Sequence, residues 1–409
     1  MSSQKTVSLA YLVSQYPMLS MIFIIREVVQ LRARGFHIDA ASINAADRAS
    51  EGLTQDEANE SALTYYIKPQ GAKGAVRAHW KTLTSNPAGY LRGLKLIVEL
   101  GKTDLRDLFY NLMYFTEALM VGVWMQAKGQ RHLHAHLGAQ AATVAMYVKE
   151  VFGFGFSITV HGPDEFYDAP GQYLTRKVES ADFICCISNF ARSQLMKLSA
   201  YEHWHKLEVS RLGVDPEVFT PRPFEIEPAV FEVICVGRLT PAKGQHILID
   251  AMERLLQAGR NIRLRIVGDG PDRASLERHV HRLGRQRDII FEGAVNQDRI
   301  RDLYARAHIF SMPSFAEGIP VVLMESMAME IPCVTTRITG IPELICDGID
   351  GLLVAPSSVE ELAAALERLM DDPDLRRTLG ENGRKRVVED YDLSKNVERL
   401  GDIFQRRLG

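Results

Sequence analysis

The chain reads as an α/β protein built from two doubly wound, mostly parallel sheets. Three observations lead to that reading. At 409 residues it is long for one domain and comfortable for two. Short apolar runs of strand length alternate with segments of helical apolar spacing, most regularly after residue 230. Pro216, Pro221, Pro223 and Pro228 cluster between the halves, where neither a helix nor a central strand can continue. Alternation at this rhythm builds βαβ units around a parallel sheet.

In the first half, strands are predicted at 6–13, 37–43, 62–67, 132–136, 156–160 and 183–187. Helices are predicted at 21–34, 138–151 and 190–198. Residues 104–126 form an amphipathic helix with Leu105, Leu108, Phe109, Leu112, Leu119, Met120 and Val123 on one side. The stretch 73–102 sets Lys73, Arg77, Lys81, Arg92, Lys95 and Lys102 against the single acid Glu99. Trp80, Tyr90, Leu91, Leu94 and Ile97 are interleaved with these cations. The pattern fits peripheral contact with an anionic membrane surface. It equally fits a solvated helical insertion with one packed side, and that plainer reading is preferred here.

In the second half, strands are predicted at 231–237, 264–268, 289–291, 308–312, 332–336 and 351–354. The helices between them fall at 244–256, 273–283, 298–307 and 320–330. Residues 374–408 are helical and highly charged, suited to capping the second domain and crossing back to the first. The expected division is 1–213 for the first domain, 214–229 for a hinge, 230–385 for the second domain and 386–409 for a C-terminal helix. Two such domains are expected to face each other across a cleft at the carboxyl ends of their strands, where open α/β sheets bind ligands.

Composition narrows the function. A hydrophobic fraction of 46% and a charged fraction of 24% are those of an ordinary globular protein. A net charge of −3 argues against nucleic acid as a partner. The opening residues Met1 to Thr6 lack the apolar core of a signal peptide. The longest near-apolar run, Leu112 to Met125, is too short to span a membrane and carries Glu117. Cys185, Cys186, Cys235, Cys333 and Cys346 fit neither zinc nor redox spacing, and read as reduced core residues of a cytoplasmic protein.

The most informative stretch is Glu317-Gly318-Ile319-Pro320-Val321-Val322-Leu323-Met324-Glu325. Pro320 suits the first position of a helix, placing Glu317 in the loop before it and Glu325 about a turn and a half inside. A helix start offers free N–H groups and partial positive charge to phosphate. Carboxylates on either side repel phosphate, so their work is to accept hydrogen bonds from sugar hydroxyls. The combination suggests a nucleotide-sugar site.

Upstream, Gly237-Arg238-Leu239-Thr240-Pro241-Ala242-Lys243-Gly244 follows a strand and precedes a helix. Arg238 can grip phosphate oxygens bidentately and Lys243 can act as a point charge. A solvated turn with two surface cations is the alternative. A second Gly340-Ile341-Pro342-Glu343 loop also opens a short helix and could border the nucleotide or sugar. Gly268-Asp269-Gly270 lacks the third glycine of a dinucleotide fingerprint, giving NAD little support.

In the first half, His161 follows a strand and precedes Gly162, which projects it into the presumed cleft. His132, His134 and His136 alternate along a strand and share one side, but no matching carboxylate or cysteine set marks a metal site. Asp164, Glu165 and Asp168 also lack a metal spacing. No metal and no cofactor is expected.

These residues together resemble the retaining glycosyltransferases of the GT-B fold, glycosyltransferase family 4, of the bacterial polysaccharide type. The resemblance covers nearly the whole chain and is most specific from 231 to 356. It rests on the paired glutamates Glu317 and Glu325, the Arg238 and Lys243 pair upstream, and the runs Thr339-Gly340-Ile341-Pro342-Glu343 and Asp350-Gly351-Leu352-Leu353-Val354. It implies two Rossmann-like domains, the first on the acceptor side and the second holding the nucleotide sugar. Arg238 and Lys243, beside Gly237, would hold the donor diphosphate. Glu317 would bind donor-sugar hydroxyls and Glu325 the ribose. Backbone groups around Gly318, Ile319 and Pro320 would touch sugar or phosphate, and His161 would lie near the transferring carbon. The loop Ser14-Gln15-Tyr16-Pro17-Met18-Leu19-Ser20 departs from the family's glycine-rich loop and resembles a bacterial polysaccharide subgroup.

The implied function is metal-independent transfer of a hexose from a UDP- or GDP-sugar to a glycan or lipid-linked acceptor, in bacterial exopolysaccharide or cell-surface polysaccharide synthesis. The implied location is the cytoplasm, peripheral at the inner face of the membrane. Two other readings share the fold, a nucleotide-sugar epimerase and a non-catalytic sugar-binding assembly protein. Intact Arg238, Lys243, Glu317 and Glu325 argue against the last.

Overall fold

The computed structural model describes residues 6–18, 21–48, 53–101 and 104–409. Leu19 and Ser20 of the N-terminal loop and Lys102 of the basic stretch lie outside the described residues. The chain divides into two compact units, residues up to Arg211 together with Val397–Gly409, and Leu212–Asn396.

The first unit begins with β1 (Ser8–Gln15), α1 (Ile22–Ala33), β2 (His37–Asn44), α2 (Gln55–Leu63) and β3 (Tyr65–Tyr66). Three helices follow, α3 (Gly71–Ser85), α4 (Pro87–Gly101) and α5 (Leu105–Lys128). Then come β4 (His132–His136), α6 (Gln140–Phe152), β5 (Gly155–Val160), α7 (Leu174–Ser180), β6 (Phe183–Cys186), α8 (Asn189–Leu198) and β7 (Leu207–Val209). The seven strands are parallel in the order β3-β2-β1-β4-β5-β6-β7. The order reverses direction between β1 and β4, and that reversal is where open α/β sheets place ligands.

Local chemistry explains the elements. Leu9 to Val13 of β1 are buried, as expected of a parallel strand covered on both faces. Helix α5 starts where the Asp104 carboxylate accepts the N–H groups of Arg106 and Asp107, and stops at Gly129 in the left-handed conformation. Alanine-rich α6 is buried over most of its length and packs among α5, α4 and the sheet. The strand expected at 62–67 is shorter than predicted: Ala62 and Leu63 end a helix and Tyr65–Tyr66 form the strand. Thr54 and Glu57 form a capping box that launches α2, and only Tyr65–Tyr66 pair with β2. From Val397 onward the C-terminal segment packs with this unit, Phe404 lying edge-on to His134 at 5.0 Å and Arg407 bonding Glu208 at 2.7 Å.

The second unit holds β8 (Phe231–Val236), α9 (Gln245–Gln257), β9 (Ile262–Val267), α10 (Arg273–Leu283), β10 (Ile289–Gly293) and α11 (Gln297–Tyr304). It continues through β11 (Ile309–Met312), α12 (Val321–Ala328), β12 (Cys333–Thr336), α13 (Ile341–Leu344), β13 (Leu352–Val354) and α14 (Val359–Asp371). Its six parallel strands run β10-β9-β8-β11-β12-β13, reversing between β8 and β11. Apolar clusters cover both faces of this sheet, one around Leu323 and Met327, the other around Leu248 and Leu366. Val214 and Phe219, within the proline-rich segment, are buried in the first of these clusters.

The charged C-terminal stretch is two helices, α15 (Pro373–Asp390) and α16 (Leu393–Leu408). Buried Tyr391 sits at the break, its hydroxyl donating to the Glu343 carbonyl at 2.9 Å. Cys185, Cys186, Cys235 and Cys333 are buried and free, and Cys346 is half-buried and free. Among the described residues, no helix is long and apolar enough to cross a membrane.

Candidate functional site

In the second unit, the loops after β8, β11 and β12 converge at the carboxyl edge of the sheet. β8 and β11 are the two strands flanking its reversal. The loop after β8 runs from Gly237, whose N–H donates to the Val267 carbonyl, through Arg238 to Lys243. Gly244 closes it at φ +63°, and a Cβ there would stand 2.2 Å from the Pro313 carbonyl oxygen, so only glycine lets the two loops meet. Phe315 N–H donates to the Ala242 carbonyl at 2.7 Å across the same junction. The third loop joins at Gly340, where a Cβ would lie 2.3 Å from the Gly318 carbonyl oxygen.

Glu317 is the hub. Its Oε1 accepts from Lys243 Nζ at 2.6 Å and from the Ser314 hydroxyl at 2.7 Å. Its backbone is bonded through both N–H and carbonyl to the Thr339 hydroxyl. Thr339 has φ +43°, a left-handed conformation that a β-branched residue rarely adopts. The carboxylate is 7% exposed and Lys243 24%, so the pair is largely shielded. Lys243 and Glu317, read from sequence as contacts to different parts of a donor, therefore touch each other. Arg238 is exposed, and the Gln245 side-chain amide anchors its carbonyl at 3.1 Å.

Pro320 is not the first helical residue. It stands at the N-cap with ψ 125°, and α12 starts at Val321, because Pro320 supplies the carbonyl that accepts from Leu323 and Met324. Gly318 and Ile319 lead into that cap. Glu325 is on α12 and buried, and it keeps different company from Glu317, with Tyr304 Oη donating to its Oε2 at 3.2 Å. Burial and the Glu325 charge drive the Tyr304 phenol well above its ordinary pKa, so it stays a donor. Thr339 lay within a quoted motif without a role, and Ser314 just upstream of one. Tyr304 carried no sequence signal, as an aromatic on a helix reads as core.

In the first unit, His161 stands just past β5, two strands from β1. Its backbone N–H and that of Gly162 donate to Glu165 Oε2, and Gly138 N–H donates to Glu165 Oε1. Lys177 is fully buried and donates to the carbonyls of Gly138 and Ala139 at 2.6 and 2.9 Å. Burial pushes this ammonium down to about 7, against the pull of Glu165. Burial, then the neighbouring His136, holds the His161 imidazole well below its ordinary pKa.

The three alternating histidines of β4 are all buried. His132 Nε2 and His134 Nδ1 share the Ser157 hydroxyl at 2.8 Å, and His134 Nε2 meets the Thr159 hydroxyl at 2.9 Å. Glu27, His134 and His136 have ligand-type atoms within 4.8 Å of one another, a grouping that sequence spacing did not offer because Glu27 comes from α1. Hydroxyls occupy both His134 nitrogens, and Glu27 accepts from Tyr11 and His136. The donor set is that of a hydrogen-bonded core.

The comparisons with known proteins fit this geometry. The family described as glycosyl transferases group 1 matches residues 221–386, which include all three loops of the second-unit site. The putative colanic acid biosynthesis glycosyltransferase WcaL of Escherichia coli K12 is 26% identical over 98% of this chain and 100% of its own length. Among solved structures, sucrose-phosphate synthase of Thermosynechococcus elongatus superposes with a TM-score of 0.75 at 19% identity, covering 98% of each chain. HepE of Anabaena in complex with UDP and glucose gives 0.73 at 18% identity, covering 98% of this chain and all of HepE. The two parallel, doubly wound sheets and these matches lead to one conclusion: the chain has the GT-B fold, and its residues 221–386 are similar to the group 1 glycosyl transferases.

Proposed function

We propose that the protein is a retaining hexosyltransferase that uses a UDP- or GDP-sugar without a metal ion and extends a glycan or lipid-linked acceptor in bacterial cell-surface polysaccharide synthesis. The observation that carries this reading is the Lys243–Glu317–Ser314 cluster beside Arg238 at the reversal of the second sheet. The similarity to a colanic acid glycosyltransferase supports the polysaccharide context, and the likeness to a UDP-bound chain supports a nucleotide donor.

Arg238 and Lys243 neutralise the leaving diphosphate, with the start of α12 adding partial positive charge. Glu317 accepts hydrogen bonds from donor-sugar hydroxyls, and Glu325 from the ribose. The anomeric C–O bond to the diphosphate breaks, and the acceptor oxygen bonds to the same face of the sugar. The acceptor proton passes to a phosphate oxygen. Two cations at the diphosphate do the charge work that a divalent ion does elsewhere. The test is Glu317→Ala. Loss of transfer in a variant that still folds and melts cooperatively supports the reading, and a fully active variant overturns it. Altered sugar released without any acceptor would point to an epimerase.

A lipid-linked acceptor suits a membrane-facing enzyme, and the first unit offers a surface for it. α3 exposes Val76, Trp80 and Leu83, α4 exposes Leu91, Leu94 and Val98, and α5 exposes Leu105, Phe109 and Leu112. Each set repeats at helical spacing on the side of its helix turned to solvent, and Trp80 is 70% exposed. Exposed Lys73, Arg77, Lys81, Arg92, Lys95 and Arg106 accompany these stripes, against the acids Glu99, Asp104 and Asp107. Excess positive charge suits an anionic leaflet and opposes a second copy of the same face. The protein is expected to sediment with vesicles containing phosphatidylglycerol and not with pure phosphatidylcholine. Sedimentation with neither, equal sedimentation with both, or no loss on Trp80→Glu would refute the contact.

A further inference from the structure

At the reversal of the first sheet, four elements contribute to one buried chain of hydrogen bonds. Tyr11 Oη on β1 donates to Glu27 Oε1 on α1 at 2.8 Å. The same oxygen lies 3.1 Å from His136 Nε2 at the end of β4. His136 Nδ1 lies 3.2 Å from His161 Nε2, just past β5. Tyr11 and His136 are wholly buried and Glu27 is 6% exposed. Phe23 packs against the His161 ring at 5.1 Å, tilted by 41°.

Hydrogen-bond capacity orders the protons along this chain. A carboxylate oxygen only accepts, so His136 Nε2 carries a proton. A neutral His136 then has a bare Nδ1, which must accept from His161 Nε2–H. His161 is left with Nδ1 as its acceptor. The opposite arrangement needs an imidazolium at His136, next to His134 and His161 in the same buried row, 5.2 and 5.5 Å away between ring centres. Burial and the neighbouring rings oppose a second proton on either flanking histidine.

The backbone around the chain is built to hold it. Leu137, directly after His136, has φ +73°, an outlier for a bulky residue. That turn is pinned by Leu137 N–H to the Thr159 carbonyl, by Lys177 on the next two carbonyls and by Glu165 on the Gly138 N–H. Glu165 also takes the backbone N–H of His161. Both imidazoles are thus anchored through ring and backbone.

We propose that Glu27 and His136 are positioning residues that fix His161 as the Nε2-protonated ring, presenting Nδ1 as a hydrogen-bond acceptor for a substrate hydroxyl. The inference rests on the reading that His161 faces the donor sugar. It assigns work to Glu27 and His136, which touch no substrate themselves, and it gives a reason for the buried carboxylate beside the histidines of β4.

The experiment is ring-nitrogen NMR of the full-length protein labelled with ¹⁵N-histidine, His161 and His136 being identified by single substitution. In the wild type, His161 is expected to show one protonated Nε2 and one bare Nδ1, invariant across neutral pH. In His136→Ala the Nε2 proton loses its acceptor and exchanges with water. Turnover falls roughly ten- to a hundredfold, by analogy with loss of the hydrogen-bond partner of a metal-ligating histidine, with the donor KM changed less. Glu27→Gln keeps an acceptor oxygen and retains the pattern and most activity, whereas Glu27→Leu loses both. A wild-type His161 protonated on Nδ1, or averaged over both forms, overturns the proposal even if no variant folds. So does wild-type turnover in His136→Ala. Full activity in His161→Ala with an inactive Glu317→Ala would overturn it while leaving the transferase reading intact.

Discussion

The reversal points of the two sheets carry opposite kinds of polar chemistry on the same strand order. In the second unit the groups come from loops beyond the strands, and Arg238 and Lys243 keep access to solvent. In the first unit they come from the strands and α1 themselves, with Tyr11, Glu27, His134 and His136 sealed from water. Charges left at a loop edge can meet a charged ligand. Groups paired inside a core can only hold one another, and under the proposal above they would act on a ligand through the residue that ends the chain, His161.

Several substitutions break or sharpen that contrast. The largest effect is expected at the loop cluster. Glu317→Ala or Arg238→Ala should lower turnover by about 10²–10³, as loss of a preorganised polar contact does, with the melting temperature nearly unchanged in Arg238→Ala and modestly lowered in Glu317→Ala, which strands Lys243 and Ser314. Steady-state transfer assays read this directly, and activity preserved in both variants would remove chemistry from the second unit. Next comes Glu165→Gln in the first unit. An amide cannot accept all three backbone N–H bonds as strongly, and a loss of about 2–3 kcal/mol in urea unfolding is expected. An unchanged midpoint would show that the anchor is dispensable.

Gly244→Ala should cost about 1–3 kcal/mol through left-handed strain and overlap with Pro313. It should also weaken nucleotide binding, because it separates the loop after β8 from the one after β11. Calorimetry on one preparation gives both readings, and a stable variant with full affinity would contradict the junction.

The smallest effect is a pH slope. Burial pushes His132 down to about 4, with Asp182 pulling the other way. The unfolded chain takes up this proton near pH 6.5, and the folded chain only near 4. His132 therefore contributes stability that is present above pH 6.5 and is lost as pH falls toward 4. The difference in urea midpoint between wild type and His132→Asn should change over that window and be flat above it. A flat difference throughout would place His132 outside the buried core.

Much of the second unit was legible in the sequence because its signals are local. Glu317 and Glu325 lie within one loop–helix junction, and Arg238 and Lys243 within one strand–helix turn. Even there, sequence could not show that Lys243 reaches Glu317, 74 residues on, or that Tyr304 binds Glu325. The strand at 62–67 was drawn too long at its start: Tyr65 and Tyr66 do pair with β2, but the Thr54–Glu57 capping box, overlooked in the sequence, launches a helix that runs to Leu63. The first-unit chain was legible only as alternating histidines and one histidine after a strand. Glu27 and His136 are 109 residues apart, and nothing in an apolar helix marks one acid as their partner. Contacts of that range come from the sheet order, which sequence periodicity does not specify.

The most direct test is calorimetric titration of the purified protein with UDP, GDP, ADP and dTDP, first without metal and then with magnesium. The account predicts metal-independent binding of one nucleotide, UDP or GDP, that weakens markedly in Arg238→Ala. Binding that requires magnesium, or that is untouched by Arg238→Ala, would contradict it.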